Sequence, residues 1–169
     1  MPRTPRHAFW LLTGLWLALA GLGPLGAPWA FAEDPGVARL EQRLHLAVNG
    51  FRAERHLVAL ERRADLDAVA RAHSEDMVAR AFLAHENPDG DEWPQRLDRA
   101  GVRGYTLAGE NVAVTNEADP HGSVFAGWQN SPAHRENLVA RPFNATGIGI
   151  ARHPDGRLFY TQLYVTFPR

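Results

Sequence analysis

The sequence predicts an α+β domain in which helices pack over a mainly antiparallel sheet, and three observations carry that reading. First, the stretch that follows the apolar start repeats its apolar residues at helical spacing: Val37, Leu40, Leu44, Ala47, Val48 and Phe51 form one stripe. Second, the C-terminal stretch changes period. Thr146 to Ala151 alternates, His153-Pro154-Asp155-Gly156 reads as a turn, and Leu158 to Phe167 is rich in Tyr, Phe, Val and Thr. Third, that last run is apolar on both faces, with Phe159, Leu163, Val165 and Phe167 on one and Leu158, Tyr160 and Tyr164 on the other. A strand of this kind needs cover on both sides, and no internal repeat competes with the layered arrangement.

The start reads as an export signal. Met1 to His7 carries Arg3 and Arg6 and no acid, Ala8 to Gly23 is an apolar run broken by glycine, and Ala30-Phe31-Ala32 offers small residues for cleavage. Residues 1–32 are expected to be a signal peptide and residues 33–169 one domain, secreted or periplasmic, with no transmembrane helix after cleavage. Removing Arg3 and Arg6 leaves 16 basic against 19 acidic side chains, a net of −3, which speaks against a nucleic-acid partner. The chain has no cysteine, so it has neither a disulfide framework, a thiolate nucleophile nor a cysteine-based zinc site.

Along the domain, Asp34-Pro35 is a helix start, with the aspartate as cap and proline in the first turn. The stripe that follows leaves Arg39, Glu41, Arg43 and Glu54 outside, and Asn49 and Arg52 at its edge read as solvated or capping groups. Leu57 to Leu60 is an extended link. Asp65 caps a second helix whose inward face is Leu66, Val69, Ala70, His73 and Met77, with His73 a hydrogen-bonded core histidine. That helix runs out near Phe82, placing His85 past its end and before the turn signal Asn87-Pro88-Asp89-Gly90. Pro94 to Ala100 makes a short helix with Leu97 inward, stopped by Gly101. Gly101 to Ala108 reads as loop, Gly109 lets the backbone turn before Glu110 and Asn111, Val112 to Thr115 reads as a short strand, and Asp119-Pro120 as the start of a helix through Trp128. Ser131-Pro132 ends that helix and caps the next, setting His134 in its first turn.

His85, Glu110 and His134 stand out as polar residues on three separate segments. Two imidazoles and a carboxylate are the ligand set of an open zinc site, the fourth position holding water. Their spacing is not that of a helical His-Glu-x-x-His pair, so only a fold can join them. A second arrangement would make Ser131 a nucleophile activated by His134 and oriented by Glu110, although a serine before proline already has its hydroxyl placed for capping. Trp128 reads as a core anchor. Arg135 is either solvated or paired with Glu110.

The ordered motifs resemble a known family. Asn49-x-x-Arg52, Ala72-His73-Ser74-Glu75-Asp76-Met77, Phe82-x-x-His85-x-x-Pro88-x-Gly90, Gly109-Glu110-Asn111, Trp128-x-x-Ser131-Pro132-x-His134-Arg135-x-Asn137-Leu138 and Gly147-Ile148-Gly149 are similar to bacterial members of the CAP superfamily. That superfamily groups cysteine-rich secretory proteins, antigen 5 proteins and pathogenesis-related proteins. The resemblance implies a three-layer α-β-α sandwich, the SCP-domain fold, with a central cleft lined by two histidines and two acidic residues. It also implies association with divalent metals, with sterols or lipids, and in some members with peptidase activity.

Carried onto this sequence, the cleft residues are His85, Glu110, Asn111 and His134, and the metal ligands, for zinc or another divalent cation, are His85, Glu110 and His134. The second cleft glutamate of many eukaryotic members falls at Ser131 here, a departure bacterial relatives share, and the loss of one carboxylate weakens any hold on a dication. The expectation is an exported binding protein for a small molecule or lipid rather than an enzyme. The alternative is a metal-dependent hydrolase or peptidase in which Glu110 completes the ligand set or acts as base, but not both. In a third reading the cluster only ties loops together.

Overall fold

A computed structural model describes residues 34–168; the export signal expected over residues 1–32 lies outside them. In chain order the elements are α1 (Pro35–Ala53), β1 (Glu61–Arg62), α2 (Ala64–Arg80), α3 (Trp93–Arg99), β2 (Leu107–Thr115), α4 (Pro120–Asn130), α5 (Pro132–Val139), β3 (Ala145–Arg152) and β4 (Leu158–Thr166). The strands lie in the order β1-β3-β4-β2. The β2/β4 and β3/β4 pairs are antiparallel, while β1 pairs with β3 in parallel. The sheet is therefore mixed. The parallel piece is two residues long and joins α1, on one side of the sheet, to α2, on the other.

The two faces of β4 divide the core as its sequence requires. Leu158, Tyr160 and Tyr164 pack with Ile148 and Ile150 of β3 beneath α1, α4 and α5. Leu163 and Val165 pack with Ala145 beneath α2 and α3. Three layers result, helices over sheet over helices. On the α2 side β3 offers only small residues, and two of them are obligatory. A Cβ on Gly147 would lie 2.2 Å from the Leu66 backbone, and one on Gly149 would lie 2.0 Å from that of Arg71. This close approach is what Gly147-Ile148-Gly149 encodes.

Several polar residues lie deeper than their sequence positions suggest. Glu41, expected outside, is 1% exposed. Beyond the short pairing with β1, the outer edge of β3 has free amide donors; Ile150 N donates to Glu41 Oε1 at 3.2 Å and Ile148 N to Asp67 Oδ1 at 2.7 Å. Arg62 bridges both carboxylates and Arg71 binds Glu41. Charged side chains thus finish a sheet edge that would otherwise be left bare.

Arg52, expected at a solvated edge, is fully buried. Its guanidinium donates to the carbonyls of Val58, Leu138, Ala140 and Phe143 at 2.9–3.1 Å. Leu138 and Ala140 are at the C-terminal end of α5, where orphan carbonyls and the helix dipole favour a cation. Burial lowers the Arg52 pKa; the carbonyl cage compensates. Asn49 clamps the link before β1 by bonding both N and O of Leu60.

One cap and one strand boundary also differ from expectation. The N-cap of α2 is Arg63, and Asp65 instead accepts from Leu66 N within the first turn and pairs with Arg63. The first strand of the antiparallel pair begins at Leu107 rather than Val112. Residues 107–111 pair with β4, which supplies partners that a local reading of a glycine-containing stretch does not see. Glu110 and Asn111 consequently stand on a rigid strand and not in a loop.

Candidate functional site

The fold brings His85 and Glu110 into direct contact. Past α2, Ala81 adopts a left-handed conformation that turns the chain away, and Asn87 fixes the following loop by accepting from the amides of Asp89 and Asp91. His85, before that turn, lies with Nδ1 2.9 Å from Glu110 Oε1. A carboxylate can only accept, so Nδ1 carries the proton, and of the two neutral tautomers the contact selects the one with a lone pair at Nε2. The His85 side chain is 41% exposed and that of Glu110 fully buried.

The other Glu110 oxygen belongs to a residue the sequence did not single out. Arg96, on α3, donates to Glu110 Oε2 at 2.6 Å and to the carbonyls of His85 and Asp91 at 2.8 Å each. Its side chain is 9% exposed. Arg96 also lines a cavity of about 490 Å³ between α2 and α3, together with Val69, Ala72, His73 and Asn87. The only signal for it in the sequence was its place one residue before inward-facing Leu97. Arg135, by contrast, is exposed.

His73 is buried as a core histidine, donating Nε2–H to the Ala84 carbonyl at 2.9 Å, with Nε2 4.0 Å from Glu110 Oε1. Burial pushes its pKa down, Arg96 acts in the same direction, and Glu110 opposes them. The ring is therefore held neutral behind the carboxylate.

His134 is tied to this pair through two asparagines. Asn137 donates to the Glu110 carbonyl and to Asn111 Oδ1 at 3.1 and 2.8 Å. Asn111 donates in turn to the His134 carbonyl at 3.0 Å and to the Tyr164 hydroxyl at 3.3 Å. Asn111 is fully buried, so it positions α5 against β2. Tyr164 passes the chain on to Gln162 and Thr146, and burial raises its pKa.

Ser131 makes no side-chain cap for α5. Its Oγ instead sits 2.9 Å from His134 Nδ1, so the hydroxyl expected to cap the helix is spent on the imidazole. The His134 ring lies 6.5 Å from that of Trp128, a buried core side chain as expected. Burial lowers the His134 pKa, with a smaller contribution from His85. Both site histidines thus have Nδ1 engaged, and among the described residues neither Nε2 has a protein hydrogen bond.

The match to known proteins agrees with this architecture. The model of the cysteine-rich secretory protein family, CAP, covers residues 45–164. The chain belongs to the CAP family. It is 30% identical over 125 residues to YlbC of Bacillus subtilis, a membrane protein, covering 74% of this chain and 34% of that one. It also resembles the crystal structure of an extracellular protein containing an SCP domain from Bacillus anthracis. That match has a TM-score of 0.67 and 31% identity, and covers 76% of this chain and 41% of the other. This CAP chain thus spans less than half the length of both. A structure of NaASP2 with Zn2+ shares the fold at a TM-score of 0.54 and 13% identity, with 82% of this chain and 83% of that one covered.

Zinc, which the family resemblance implies, does not fit the site as it stands. Glu110 has one oxygen on the His85 N–H and the other on a guanidinium, and Arg is a fixed cation. Among the described residues no three His, Cys, Asp or Glu side chains are grouped so as to hold a metal ion, and no helix is long and apolar enough to cross a membrane.

Proposed function

We propose that this CAP domain acts outside the cytoplasm as a binding protein for a small amphiphile, and that the ligand is held at His85, Glu110 and His134 with Asn111 in support. The observation that carries the reading is the Glu110–His85 contact: the carboxylate orients the ring and leaves Nε2, on a partly exposed side chain, as an acceptor. A ligand hydroxyl supplies the matching donor. An apolar ring adjoins it, that of Trp93 at 5.7 Å from the His85 ring, which suits a lipid-like body behind the hydroxyl. Export follows the signal-like start and the extracellular Bacillus anthracis relative.

The metal-dependent hydrolase ranks second. It needs Glu110 as ligand or base, and both oxygens are already engaged. A catalytic serine at Ser131 would need a base placed for a substrate, whereas its contact with His134 is a local one three residues apart.

Calorimetric titration with 1-octanol and with octyl methyl ether, which lacks the donor, tests the binding reading. Saturable binding of the alcohol alone, weakened at least tenfold in His85→Ala with the fold intact by circular dichroism, is the expected result. Equal binding of alcohol and ether, or no change in His85→Ala, would sink it.

A further inference from the structure

We infer that Arg96 closes this site to divalent cations and so sets its ligand class: the site takes an uncharged hydroxyl-bearing molecule, and Arg96 is the residue that makes the choice. The inference deepens the binding reading above and rests on the same site. Glu110 is the carboxylate that faces both His85 and Arg96. A dication needs that carboxylate as a ligand, because two neutral imidazoles alone leave one protein ligand fewer than open zinc sites use. Arg96 takes Oε2 at 2.6 Å and is not free to move off it, since its other terminal nitrogen is fixed by the His85 and Asp91 carbonyls at 2.8 Å each.

The same guanidinium holds the chain on which His85 sits, so its charge and the ring's position are set together. With Glu110 balanced by Arg96, the pair is neutral and offers nothing to repay the dehydration of a doubly charged ion. What the site does offer is an acceptor, His85 Nε2, to which a neutral hydroxyl can donate. Ser131 adds to this, because a serine hydroxyl bonded to His134 supplies no negative charge.

The test is calorimetric titration of zinc chloride into the purified, chelator-treated protein and into Arg96→Met, Arg96→Lys and the double variant Arg96→Met/Glu110→Gln, each checked for fold by circular dichroism. Wild type and Arg96→Lys, which keeps the charge, are expected to show no saturable zinc binding at micromolar metal. Arg96→Met is expected to gain it, at least tenfold tighter than wild type, and the double variant to lose it again because Glu110 is the ligand released. Saturable micromolar binding to wild type overturns the inference, as does a folded Arg96→Met that gains none. The 1-octanol arm is read separately. Zinc exclusion without alcohol binding would reject the binding reading and leave Arg96 in its role, while zinc uptake by wild type through Glu110 would reject the role of Arg96 whatever the alcohol does.

Discussion

At the scale of single residues, the chain repeatedly uses one long polar side chain to fix several backbone groups. Arg52 satisfies four carbonyls, Arg96 two carbonyls and a carboxylate, and Glu41 an edge amide and two guanidinium groups. Arg52 and Glu41 are buried because their polar atoms are paired, whereas Arg96 keeps its Nε without a hydrogen-bond partner among the described residues. His73 has a consequence for pH dependence. Its folded-state pKa lies below the ordinary 6.5, so the unfolded chain takes up a proton that the folded one refuses. Its contribution is fully present above pH 6.5 and is lost as pH falls from there toward the folded value. Urea denaturation at pH 7.5 and 5.5 should therefore show lower stability at 5.5, by up to about 1.4 kcal/mol per pH unit from this one group. His73→Gln should flatten the slope, and an unchanged slope would remove His73 as its source.

At the scale of elements, local pattern was a good guide wherever one face of a helix or strand decided the outcome. The stripe of α1, the inward face of α2 ending in His73 and Met77, and the two faces of β4 all lie where their spacing puts them. Pattern failed where a partner distant in sequence decides. Residues 107–111 carry weak strand signals and form strand because β4 is there to pair with. Glu41 looks like a surface residue until β3 presents an unpaired amide. The packing of α2 on β3 gives a sharp test. A methyl group on Gly149 would press into the α2 backbone, which cannot yield as a flexible side chain can. Gly149→Ala should cost about 2 kcal/mol or more and lower the melting temperature by several degrees. A neutral result would mean that α2 is free to shift away from the sheet.

For the molecule as a whole, a three-layer sandwich explains how residues 25 and 24 positions apart in sequence join one hydrogen-bonded network, which the proposed function treats as one site. His85 comes from the loop after the helix on one face, His134 from the first turn of a helix on the other, and Glu110 and Asn111 from the strand between. The candidate residues were legible because they are polar groups set in ordered motifs. Arg96 was not, since nothing local distinguishes an arginine on a short amphipathic helix from a solvated one. Yet it holds Glu110 and the His85 backbone together, and the proposed exclusion of cations rests on it.

Hydroxyl binding at this site turns on the state of the His85 ring, which nitrogen-15 NMR of the histidine side chains reads directly. The neutral form of His85 should be the tautomer protonated at Nδ1, with its Nε2 resonance shifting on addition of 1-octanol but not of octyl methyl ether. A neutral His85 ring protonated at Nε2, or an Nε2 resonance indifferent to the alcohol, would contradict the assignment of this site as a hydroxyl-binding centre.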